Sequence, residues 1–125
     1  MVEVNELRTG NLVKCKISND AGIYTVQALD AINLKVYLSL PRNVWHTEDK
    51  IKGIKITEEW LIKLGAIKRC GNEIDIIGQC FEFEDNKSLY FTAGEGVNFS
   101  KKICFVHELQ NYMFFAFGKE LRLNE

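Results

Sequence analysis

Val106-His107-Glu108-Leu109-Gln110-Asn111-Tyr112-Met113-Phe114-Phe115-Ala116-Phe117-Gly118 is the stretch on which the reading of this chain turns. Leu109, Tyr112, Met113, Ala116 and Phe117 fall at i, i+3, i+4, i+7 and i+8, the spacing of one apolar helical face. Gly118 stands where a helix C-terminal glycine is expected. His107, Gln110 and Asn111 cluster on the opposite side, with Phe114 one turn further on. Phe114 and Phe115 make the helix apolar nearly all round, which predicts central burial or cover by a partner.

Upstream of this helix the pattern is one of strands. Residues 12–17 alternate, with Val13, Cys15 and Ile17 on one face and Lys14 and Lys16 on the other, as in a half-buried strand. Ser18 to Gly22 reads as a turn, residues 23–29 as a second strand and residues 34–40 as a third. Three short strands joined by tight turns predict an antiparallel β-meander or a small SH3-like barrel. Residues 41–53 hold the only proline and read as a long connection, either functional or a linker whose Trp45 docks on the body of the protein. Residues 56–65 carry a short helix signal. Thr57 can cap it, Glu58 and Glu59 suit its N-terminal end, Gly65 can close it, and Trp60, Leu61 and Leu64 form its inward stripe. Further strands are expected at 66–70, 73–77, 80–84, 88–92 and 101–106, with a last short one at 119–123. The fold class is therefore α+β: antiparallel strands packed with a short helix and one longer central helix. We expect one domain over residues 1–125, with a possible subdivision into a β-meander at 1–40 and an α+β part at 54–125.

The totals agree with such a domain. The chain has 125 residues, 46% apolar and 26% charged, which suffices for a core without disulfide staples. The net charge is −1, with 8 basic and 6 acidic side chains in residues 1–55 and 8 and 11 in residues 56–125. That asymmetry is too mild to predict a phosphate-binding surface or membrane attachment. No apolar run approaches a membrane span, and residues 1–6 show no secretory pattern, so the cytoplasm is the expected compartment. Cys15, Cys70, Cys80 and Cys104 form no C-x-x-C pair and are expected as free thiols in or near the core.

Chemistry is sparsely marked. There is no P-loop, G-x-S-x-G, dinucleotide fingerprint or H-E-x-x-H, so no catalytic residue, metal site or cofactor is expected. Glu82 and Glu84 alternate with Phe81 and Phe83, as a solvated strand face would. Cys104 and His107 stand three apart, but across a strand–helix junction, where spacing sets no nucleophile–base geometry. The best polar constellation is His107, Gln110 and Asn111. These side chains either satisfy strand edges and the helix start within the fold, or form a binding surface with Phe114 and with Trp45. A protein partner or a homo-oligomer is the first expectation. Nucleic acid is the alternative, through Lys14, Lys16, Lys35 and Arg42 beside Tyr24, Tyr37 and Trp45, although the low net charge argues against a strong, salt-dependent binder. A small enzyme with an unrecognised site is a third reading.

Three segments also carry a resemblance: Asn5-Glu6-Leu7-Arg8-Thr9-Gly10-Asn11, Ile56-Thr57-Glu58-Glu59-Trp60-Leu61, and Val106 to Asn111 continuing through Gly118-Lys119-Glu120-Leu121. As a set they resemble a family of short uncharacterised proteins of gut-bacterial genomes, often near phage or mobile-element genes. That family has no assigned activity. The resemblance implies a phage- or mobile-element-associated accessory protein and transfers no site residue.

Overall fold

The structure, a computed structural model, describes residues 2–17, 20–39, 45–92 and 101–123. The chain forms two compact units, Met1–Ile54 with Val106–Tyr112, and Lys55–Phe105 with Met113–Glu125. Among the described residues, two antiparallel sheets, nine strands, one main α-helix and one short one make it α+β, as expected. No helix among the described residues is long and apolar enough to cross a membrane.

The first unit holds β1 (Leu12–Ile17), β2 (Asp20–Asp30), β3 (Lys35–Leu38), β4 (Trp45–Thr47) and β5 (Ile51–Lys52), in the order β4-β3-β2-β1-β5. Strand β2 is longer than its apolar alternation suggests and serves two neighbours. It pairs with β1 up to Thr25 and with β3 from Val26, with a register shift between Val26 and Ala28. A bulge of this kind bends a strand, so one element can change partners along its length. The meander is formed. The barrel is not: among the described residues the sheet begins at β4 and ends at β5, strands of three and two residues. Edges that short offer too few ladder bonds to close the sheet on itself.

Alternation places the core of this unit. Val13 lies opposite Tyr24, and Cys15 opposite Ile51, and all four are buried together with Val4, Val26, Val36 and Leu38. Tyr24 is thereby removed from the aromatic residues expected on the surface. The connection expected over residues 41–53 is corrected in part, because its second half contains β4, a 3-10 turn (Glu48–Lys50) and β5. These elements are too short to show a period in the sequence. Pro41, Arg42 and Asn43 lie outside the described residues, as do the turn residues Ser18 and Asn19 and the expected loop at 93–96.

In the second unit α1 (Glu58–Lys63) starts as expected: the Thr57 hydroxyl accepts the Trp60 N–H at 3.1 Å. It ends as expected too. Gly65, at φ +91°, donates to Ile62 C=O, and Ala66 N–H reaches Leu61 C=O, which satisfies the last carbonyls. Then come β6 (Ile67–Lys68), β7 (Glu73–Ile76), β8 (Gln79–Glu84) and β9 (Ser88–Phe91), paired in that order. On β8, Phe81 and Phe83 are buried while Glu82 and Glu84 are half-exposed.

The expected strands at 101–106 and 119–123 are corrected. The first is reduced to single bridges, Ile103 to Leu89 and Phe105 to Lys55. The second is irregular, held by one buried side chain, Leu121.

The turn between β7 and β8 is Ile77-Gly78, with φ of +47° and +77°. Both central residues are left-handed, the pattern of a type I′ hairpin, which asparagine followed by glycine satisfies best. A β-branched residue there is strained. Ile77 is also 45% exposed and so contributes little to packing. Ile77→Asn is therefore expected to stabilise the protein by about 1 kcal/mol, read as a raised urea midpoint with unchanged slope. A loss of stability would show that the Ile77 side chain packs more than its exposure implies.

Candidate functional site

Helix α2 (Val106–Phe117) contributes Val106–Tyr112 to the first unit and its remaining residues to the second. Its buried residues are Val106, His107, Leu109, Gln110 and Met113, while Tyr112 is half-buried and Ala116 exposed. The inward face is thus rotated from the one that apolar spacing selects, and two of the three polar residues expected outside lie inside.

The first unit explains why. The Gln110 carboxamide accepts the Leu12 N–H at 2.8 Å and donates to Gly10 C=O at 3.1 Å. Asn111 accepts from the Asn11 side chain at 2.8 Å and donates to Glu6 C=O at 2.9 Å. Arg8 adds a long bond to Gln110 C=O at 3.5 Å. The segment leading into β1 has backbone groups that no ladder reaches, and the helix supplies their partners in the manner of a missing strand. Residues 6–12 and 110–111 meet here. The Gln110 and Asn111 side chains are committed inside the fold.

His107 is 2% exposed, with Nε2 3.8 Å from a carboxylate oxygen of Glu6. Burial pushes its pKa below the ordinary 6.5, against the opposing pull of Glu108 and Glu6. The folded state therefore holds His107 neutral, whereas the unfolded chain takes up a proton near pH 6.5. Stability is complete above that pH and falls as the pH drops below it, until the lower folded value is passed. Within this window the slope stays below the one-proton limit of about 1.4 kcal/mol per pH unit. Urea titrations at successive pH values should show this loss, and His107→Gln should flatten it. An unchanged slope in the variant would assign the pH dependence to other groups.

The remaining expected site residues fall in different units. Phe114 is 40% exposed and belongs to the second unit, with its ring 5.6 Å from that of Phe115. Trp45 lies on edge strand β4 of the first unit, 46% exposed. It is directly opposite Tyr37, their rings 5.3 Å apart and tilted by 58°. Lys35 and Thr47 form the next pair on the same face, both exposed.

Following this outer face across the sheet leads through Ile23 on β2 to Lys14 on β1 and Lys52 on β5. Lys14 is paired with both Ile23 and Lys52, and all three are exposed. Spacing along one strand could have shown that Lys14 points outward; only the register shows that Lys52 stands beside it.

A shallow depression in the second unit is lined by Glu58, Lys68, Asn72, Ile74, Phe83 and Asn86, and a Glu58–Lys68 ion pair of 3.1 Å crosses it. None of the four cysteines forms a disulfide. Cys15 is buried, Cys80 and Cys104 are half-buried, and Cys70 is exposed, outside the core expected for it. Comparison with protein-family models, with curated proteins and with solved structures found no match.

Proposed function

We propose that this protein is a non-enzymatic binding module whose working surface is the outer face of the five-stranded sheet, anchored by Trp45 and Tyr37. The observation that carries the reading is Trp45, exposed on edge strand β4 and paired with the half-buried Tyr37 of β3. Large aromatic side chains left half in water supply rigid contact area at low entropic cost, which is why they concentrate at recognition surfaces. The polar stripe of α2 is a weaker candidate, because Gln110 and Asn111 spend their hydrogen bonds inside the first unit. The resemblance of the three sequence segments supports a place among phage- or mobile-element-associated accessory proteins.

The test is capture from a bacterial lysate by wild-type protein and by a Trp45→Ala/Tyr37→Ala variant, with and without nuclease, after circular dichroism has shown the variant folded. The reading predicts that a captured species is lost with the variant. Capture indifferent to both substitutions would move the working surface elsewhere.

A further inference from the structure

The geometry points to a single-stranded nucleic acid as the ligand of this outer face, its bases stacking on Trp45 and Tyr37 and its phosphates tracking Lys35, Lys14 and Lys52. The inference rests on the outer-face reading above and names its ligand class.

Three features of the face converge on it. The first is the aromatic pair: every base has a π-face, so an exposed Trp45 beside a half-buried Tyr37 is a sequence-tolerant platform for stacking. The second is Lys14 standing directly opposite Lys52 on adjacent strands. Like charges directly opposite are unfavourable in a sheet, and a ligand phosphate between the two ammonium groups turns that repulsion into attraction. The third is the placement of charge around the strands. In the first unit Glu6 lies on the 3-10 turn Val4–Glu6, Glu48 and Asp49 on the second 3-10 turn, and Glu108 on α2. The outer face of the strands carries Lys14, Lys35 and Lys52. Asp20 begins β2 and Asp30 ends it; Asp30 is opposite Lys35 and accepts in the β2–β3 turn from Ile32 N–H, Asn33 N–H and the Asn33 side chain. Lys35 stands opposite Asp30 and beside Thr47, which bonds the Asp49 carboxylate, whereas Lys14 and Lys52 have no acid opposite them in the register, so the patch complementary to a polyanion centres on Lys14 and Lys52 although the whole chain is nearly neutral.

Geometry sets the footprint. Lys14 stands opposite Ile23 and Tyr37 opposite Ala28, so the lysine pair and the aromatic pair are offset along β2 by about 16 Å as well as across the strands. That suits a short single strand, and the open aromatic surface favours unstacked bases over a rigid duplex.

The experiment is fluorescence anisotropy of end-labelled oligothymidylate and oligouridylate of about twelve nucleotides, with a matched duplex as control. Measurements run from about 50 to about 200 mM salt. Single strands should bind more tightly than duplex, with a slope of log affinity against log salt of about −2, as expected for three lysine–phosphate contacts. Trp45→Ala should weaken binding about tenfold with little change in slope. Lys14→Gln with Lys52→Gln should reduce the slope to about −0.7. All three lysine and tryptophan side chains are exposed, so these variants are expected to fold, and thermal melts check it. Absence of single-strand binding, or binding indifferent to both variants, overturns the inference. If polyglutamate binds with the same dependence on Trp45 and the lysines while the oligonucleotides do not, the ligand is an acidic peptide. The inference then fails and the outer-face reading stands. Lysate capture that ignores Trp45 and Tyr37 would remove the reading itself.

Discussion

Replacing Gln110 by alanine is expected to destabilise the protein by about 3 kcal/mol, a large effect for one neutral side chain. The substitution strands two backbone groups, the Leu12 N–H and the Gly10 C=O, where β1 begins. Leaving a buried polar group unpaired costs about 1–3 kcal/mol, and the 1% exposure of Gln110 leaves little room for water to replace it. Gln110→Met separates packing from hydrogen bonding. It keeps most of the volume, so the roughly 2 kcal/mol still lost reads the two bonds. Hydrogen exchange supplies a local check, since the Leu12 amide should lose protection in both variants. If Gln110→Ala unfolds within about 0.5 kcal/mol of wild type, the clamp is not structural, and the Gln110–Asn111 stripe becomes available again as a recognition surface. Asn111→Ala should cost less, because Asn111 is only half-buried and water can reach its partners.

Phe81→Ala should cost about 4 kcal/mol, the largest loss expected from a single substitution in the second unit. Phe81 is fully buried at the centre of β8, flanked in register by Ile74 on β7 and Phe91 on β9. Its ring meets that of Phe91 edge-on at 5.4 Å, and Phe91 meets Phe117 in the same way at 5.2 Å. Truncation removes the transfer free energy of the ring and leaves a cavity that a three-strand ladder cannot collapse to fill. Phe81→Leu, which keeps most of the volume, should cost about 1–1.5 kcal/mol. The contrast is Phe115→Ala. Phe115 is 75% exposed, and its loss should stay within about 0.5 kcal/mol. Equal costs for the two alanine variants would mean that Phe115 is covered in solution, as by a second copy of the chain.

These pairs mark how much could be read from the residues. The boundaries of α1 were legible, because Thr57 and Gly65 act on backbone groups within four residues of themselves. So were β1, whose alternation is uninterrupted, and the turn at Asp85-Asn86, where both residues adopt positive φ. The extension of β2 was not, because a bulge leaves no period to detect. Strands β4 and β5 were not either: three and two residues carry no alternation, and only the register with β3 and β1 makes them strands.

The candidate site divides along the same line. Local sequence was enough to mark Lys14 as outward and Trp45 as a residue in search of a partner. It could not place Tyr24 in the core, or bring Lys52 beside Lys14. It also put Gln110 on the wrong face of its helix. Apolar spacing assumes that polar side chains seek water, whereas Gln110 is buried by a demand arising 98 residues away in the chain. Helix, strand and turn propensities are set by near neighbours, and the sequence by itself determined the α+β class, the caps and the uninterrupted strands. Which polar groups are paired inside, which aromatics remain outside and which charges share a face are set by contacts between distant segments, and only the tertiary structure decided them.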